Sequence, residues 1–231
     1  MTRRRFLTAR EVTGMMEAVR NGNNGARDYC LILMAFRHGM RISELLGLRY
    51  RDMDLEAGRM SVNRLKNGFS TVHPLIDDEL DAIRTWTRVR STWRHAASTD
   101  TVFISRKGTM LSRQQAYRII RAAGELAGAV TCTTPHMLRH ACGYELAERG
   151  TDTRLIQDYL GHRNIRHTVR YTASNAARFN GLWEREKICG DDSGKQVKTG
   201  QLGPICAHLN CNTLCKAIPP ISIFLKIIST I

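Results

Sequence analysis

Four helix-start signals and one turn signal among them constrain what this chain can fold into. Thr8 with Glu11 and Ser112 with Gln115 are capping boxes, in which a hydroxyl and a carboxyl or amide satisfy each other's backbone donors at a helix entrance. Thr134 followed by Pro135 reads as a cap and a first helical residue. Asp77 precedes an amphipathic run to about Trp93. Between the first signal and Asp77, Arg59 to Arg64 and Ser70 to Leu75 alternate as strands do, and Lys66-Asn67-Gly68 supplies the turn that joins them. Further helices are predicted around Arg154 to Leu160 and His167 to Asn180, separated by the loop from Gly161 to Arg166. The fold class expected is therefore mainly α with a small antiparallel β-sheet.

Charge divides the chain. The net charge is +14, and 28 of the 35 basic residues are arginine, the side chain that grips phosphate oxygens in pairs. Arginine stops at Arg185; the last 44 residues carry only +2, leaving +12 on residues 1–187. Two units are expected: 1–187, which holds the nucleic-acid-binding charge, and an atypical tail, 188–231, poorly ordered. Met1 to Arg5 is basic and is followed by no apolar stretch of signal-peptide length, so secretion is not expected and a cytoplasmic location is. The apolar Ile218 to Ile231 is too short to span a bilayer and contains Lys226. In the tail, Cys206, His208, Cys211 and Cys215 lack the tight paired spacing of a zinc finger or ribbon, and no metal is expected there.

Four local patterns carry chemistry: His38-Gly39-Met40-Arg41-Ile42-Ser43-Glu44-Leu45, the Lys66 turn, Pro135-His136-Met137-Leu138-Arg139-His140, and Leu160-Gly161-His162 with Tyr171 nine residues on. In this order they resemble the tyrosine recombinase, or phage integrase, family, whose active site runs Arg, Lys, His-x-x-Arg, His, Tyr. The resemblance spans residues 5 to 185 and includes Thr168, three residues before the tyrosine. It implies the DNA breaking-rejoining fold and a site made of Arg41, Lys66, His136, Arg139, His162 and the nucleophile Tyr171, with no metal or nucleotide cofactor.

The chemistry explains why these residue types recur. A phenol with an ordinary pKa of about 10 is a poor nucleophile at neutral pH. Two guanidinium groups, Arg41 and Arg139 by resemblance, would stabilise the phenoxide and the charge that builds on the phosphate's non-bridging oxygens. The leaving 5′ oxygen needs a proton, for which the resemblance offers Lys66. It gives His136 the task of helping to remove the tyrosine's proton and His162 a hydrogen bond to the phosphate. Glu44, one turn after Arg41, is placed to orient that guanidinium or to sit on the helix surface. His140 is assigned to packing or to a supporting hydrogen bond.

The chain is similar to the short fimbrial phase-variation recombinases, notably over Arg64-Leu-Lys-Asn-Gly-Phe-Ser-Thr-Val-His-Pro74, and no separate amino-terminal DNA-clamping domain is expected before Thr8. That resemblance implies inversion of a promoter segment between inverted repeats in double-stranded DNA, a homotetramer on two synapsed sites, and accessory DNA-bending proteins. A DNA-binding transcriptional regulator that keeps the fold without strand exchange is the alternative, and a relaxing enzyme without site choice is a third reading.

Overall fold

The computed structural model describes residues 6–65, 69–129 and 132–173. Eight helices and three short strands follow in the order α1 (Ala9–Arg20), α2 (Gly25–Arg37), α3 (Ile42–Leu46), β1 (Met53–Asp54), β2 (Arg59–Val62), β3 (Thr71–Pro74), α4 (Asp77–Ser91), α5 (Arg113–Leu126), α6 (Pro135–Glu148), α7 (Thr153–Leu160) and α8 (Arg166–Ala173). The mainly helical class with a small antiparallel sheet is as the sequence predicts.

Both capping boxes form. The Glu11 amide donates to Thr8 Oγ1 while the Thr8 amide donates to Glu11 Oε2 at 2.8 Å, and Ser112 and Gln115 repeat the exchange at the start of α5. At α6, Pro135 occupies the first turn as expected, but the Thr134 side chain makes no capping bond; the Met137 amide turns back to the Thr134 carbonyl instead. Helix α7 starts one residue earlier than the amphipathic pattern suggests, because the Asp152 carboxylate accepts from the amides of Arg154 and Leu155.

Helix α2 is apolar nearly all round, from Cys30 to Phe36, and every one of those residues is buried. A helix without a polar face belongs at the centre. Helices α1, α4 and α6 accordingly pack around it. Trp86 of α4 is sealed from solvent, with its indole N–H donating to the Val102 carbonyl at 2.9 Å and its ring edge-on to Trp93. The strands pair in the order β1-β2-β3, antiparallel, with Met60 opposite Met53 on one side and His73 on the other. In β2, Met60 and Val62 face the core, whereas in β3 the inward residue is His73 and Val72 is exposed. The sheet thus directs a polar ring inward, toward the end of α2 where the site is built.

The turn 66–68, residues 174–231 and the predicted extension of the last helix to Asn180 lie outside the described residues. Among the described residues no helix is long and apolar enough to cross a membrane.

Candidate active site

The chain leaves α2 through Gly39, and this glycine is a geometric necessity. Its φ of +52° is in the left-handed region, and a Cβ there would collide with the Leu160 side chain and approach Cys142 Sγ to 3.2 Å. The tight passage brings the Gly39 carbonyl within reach of two guanidinium groups, Arg139 from α6 and Arg64 from the end of β2. Arg139 Nη2 also donates to the Leu160 carbonyl at 2.7 Å, so backbone oxygens at two helix ends fix its plane. Burial, with Arg64 and Arg41 nearby, pushes its pKa down to about 10, and it remains a cation at neutral pH.

Glu44, on the short helix α3, is the acid at the middle of this basic cluster. Its side chain is wholly buried and accepts four hydrogen bonds: from the Arg41 amide (2.9 Å), Arg41 Nη1 (2.7 Å), Arg64 Nη1 (3.0 Å) and the Leu65 amide (3.1 Å). Burial by itself raises the pKa of the carboxyl; the bonds from Arg41 and the Arg64 charge more than reverse this and hold it below its ordinary value. The surface placement left open by the sequence is therefore excluded, and Glu44 orients Arg41.

Arg64 is one of the residues that sequence reasoning missed. Its side chain is fully buried, with Nη2 donating to the Tyr159 carbonyl at 2.6 Å and to the His38 carbonyl at 3.2 Å. It ties the sheet to α2, α3 and α7 together. The signal that could have found it is its place in an alternating strand, on the same face as Met60 and Val62, where a charge is costly unless paired.

Arg41, His136 and Arg139 line one cleft of about 160 Å³, together with Arg113 at the first position of α5. Arg113 was not anticipated from the sequence. His136 is exposed on the first turn of α6, one turn before Arg139, as the three-residue spacing predicts. Lys66 lies outside the described residues; Leu65 before it lines the same cleft.

Tyr171 on α8 is 1% exposed, and its hydroxyl is 2.9 Å from His140 Nδ1. Burial raises the phenol's pKa, opposed by the charges of Arg170 and Arg139. The His162 ring lies nearly parallel to the Tyr171 ring, with centroids 6.3 Å apart, and His162 Nδ1 is held 2.9 Å from Thr168 Oγ1. Thr168, three residues before the tyrosine, is fully buried and so serves to orient His162. Burial, and then the charge of Arg139, keep His162 neutral with a pKa of about 3. Behind the cleft, His38 Nδ1 meets His73 Nδ1 at 3.1 Å, His38 Nε2 is 3.1 Å from Glu79 Oε1, and His73 stacks on Tyr159.

Three guanidinium groups on one cleft, near a buried tyrosine flanked by histidines, suit phosphoryl chemistry. The sequence pattern of the phage integrase family matches residues 5–178. The chain belongs to the phage integrase family. Within the family, it is 70% identical to the type 1 fimbriae regulatory protein FimE of Escherichia coli K12 over 191 residues, 83% of this chain and 96% of that one. It is 54% identical to the type 1 fimbriae regulatory protein FimB of the same strain over 185 residues, 80% of this chain and 92% of that one. Among solved structures it resembles XerA recombinase, with a TM-score of 0.67 and 25% identity over 77% of this chain and 63% of that one. The chain spans less than two thirds of that recombinase. Family membership carries the enzyme class, tyrosine recombinase, and the fold.

Proposed function

We propose that the protein inverts a DNA segment controlling fimbrial expression, cutting and rejoining strands through a covalent 3′-phosphotyrosine at Tyr171. The observation that carries this reading is the convergence of Arg41, His136 and Arg139 on one cleft beside the helix that holds Tyr171. The similarity to FimE and FimB supports the fimbrial context. The solved XerH recombinase bound to palindromic difH substrate, similar at a TM-score of 0.64 and 25% identity over 75% of this chain and 51% of that one, supports double-stranded DNA as the partner.

In this mechanism Arg41 and Arg139 bind the scissile phosphate and neutralise the charge gained in the transition state. Attack by the Tyr171 oxygen forms the tyrosyl–phosphorus bond and breaks the bond to the 5′ oxygen. His136 assists removal of the phenolic proton, Lys66 protonates the departing 5′ oxygen, and His162 hydrogen-bonds the phosphate. The new linkage conserves the phosphodiester's energy, so a 5′ hydroxyl from another strand reverses the step without ATP. The reaction takes place in a homotetramer on two inverted-repeat sites in the bacterial cytoplasm, at the nucleoid, aided by DNA-bending proteins. Residues 1–187 form the catalytic unit, and 188–231 are an appendage.

The test is a nicked suicide substrate bearing candidate inverted repeats, incubated with wild-type protein and the Tyr171→Phe variant. A covalent adduct on a denaturing gel with the wild type and none with the variant is the expected result. Site-specific binding with no adduct from either protein would favour the regulator without strand exchange, and adducts scattered over unrelated DNA the relaxing enzyme.

A further inference from the structure

The face of α6 that carries His140, Gly143 and Tyr144 is shaped around the ring of Tyr171. These residues stand at i, i+3 and i+4, one above another on a single helical face. At one end His140 Nδ1 meets the phenolic hydroxyl at 2.9 Å. In the middle, Gly143 leaves the space the ring occupies: a Cβ on it would lie 2.6 to 2.8 Å from Tyr171 Cε2, Cζ and Cδ2. Alongside, Tyr144 packs edge-on to the ring at 5.1 Å between centroids. His140 is kept neutral by burial and by the neighbouring charges of Arg170, His136 and Arg139, which push its pKa down to about 4, and in the Nε2–H tautomer its Nδ1 lone pair accepts from the hydroxyl. Tyr171 is thereby removed from solvent almost entirely, and among the described residues it does not line the cleft formed by Arg41, Arg113, His136 and Arg139.

We propose that His140 is a positioning residue that stores the nucleophile: with Gly143 and Tyr144 it seats Tyr171 on α6, its hydroxyl held off the arginine cleft until DNA is engaged. This rests on Tyr171 being the nucleophile. The hydroxyl must leave His140 before it reaches the phosphate, so the seat sets the fraction of molecules ready to cut. Losing one hydrogen bond shifts such a two-state balance by roughly 3- to 10-fold. The direction of the effect separates storage from help in the chemistry. A residue that aligns or deprotonates the tyrosine slows cleavage when removed, whereas a residue that stores it speeds cleavage.

The experiment compares wild type, His140→Ala and His140→Asn, the last of which retains an acceptor oxygen near the place of Nδ1. Two quantities are read: the single-turnover rate of adduct formation on the suicide substrate at saturating DNA, and the rate of tetranitromethane nitration at Tyr171 in the DNA-free protein, located by peptide mass. His140→Ala is expected to cleave several-fold faster and to be nitrated faster at Tyr171, and His140→Asn to stay near wild type in both. A His140→Ala rate at or below wild type, or unchanged protection from nitration, overturns the proposal. If the alanine variant does not fold, His140→Leu, which keeps the volume and lacks the acceptor, takes its place with the same outcomes. An adduct that persists in Tyr171→Phe would sink the nucleophile assignment separately, whatever the His140 variants do.

Discussion

Glu44→Gln removes one charge while nearly preserving shape, and the geometry says what that should cost. The carboxylate accepts four hydrogen bonds from Arg41, Arg64 and Leu65. An amide offers one oxygen and turns an N–H₂ toward donors, so at least two of those donors lose their acceptor. Each buried orphan costs about 1–3 kcal/mol, and removing one partner of a buried ion pair costs roughly 3–5 kcal/mol in all. We expect a loss of about 4 kcal/mol, seen as a lower urea midpoint and, at 2–4 °C per kcal/mol for a domain of this size, a drop in Tm of about 10 °C. Because Arg41 loses the group that orients it, single-turnover cleavage at saturating DNA should fall by about 100-fold. The acid limb gives an independent check. The folded carboxyl ionises below its ordinary 4.5, so its stabilisation is present above that pH and is lost as pH falls through the lower folded value. Glu44→Gln should lack this loss. A variant within 1 kcal/mol and threefold of wild type would refute the reasoning that Glu44 compensates the arginine cluster.

Two further substitutions test other parts of the site. His73 has its pKa pushed down from 6.5 to about 3 by burial and then by the charges of His38 and Arg64. Between those values the unfolded chain binds a proton that the folded one refuses, so stability drops as pH falls below 6.5; His73→Gln should flatten the urea-midpoint profile from pH 6.5 to 4 by about one proton, or ~1.4 kcal/mol per pH unit, and an unchanged slope would contradict it. Arg113→Ala should weaken DNA binding and reduce the slope of log affinity against log salt by about 0.9, the signature of one lost phosphate contact; an unaltered slope would remove Arg113 from the interface.

Much of the site was legible because catalysis by charge demands residue types that stand out at fixed spacings. Arg41, His136 and Arg139 fall on one cleft as their motifs suggest, and His162 stands beside Tyr171. The strand pair was visible too, with ends at Val62 and Thr71 that differ from the alternating pattern by a residue or two, since pairing stops where the turn opens. What the sequence concealed was the support behind these groups. Arg64, His38 and His73 stand inside stretches that the motifs single out, but the sequence assigns none of them a role; only the meeting of β2, β3, α2 and α7 in space makes them buried partners. Strand β1, two residues long, carries no periodicity to detect. His140 was seen as support for its neighbours, and its contact with Tyr171 joins residues 31 positions apart, a pairing that local spacing does not encode.

The Gly39 carbonyl, which accepts from both Arg139 and Arg64, has an implication for how such a protein can change over time. One peptide oxygen serves as the common anchor of a guanidinium on the candidate cleft and of the brace that fastens the sheet. Drift at Gly39, Glu44, Arg64 or Arg139 is therefore not separable: a replacement at one position alters what is tolerated at the other three. Libraries built to retarget the enzyme should hold these four fixed, or vary them jointly, and spend their diversity on exposed positions such as Arg113, Arg154 and Arg163.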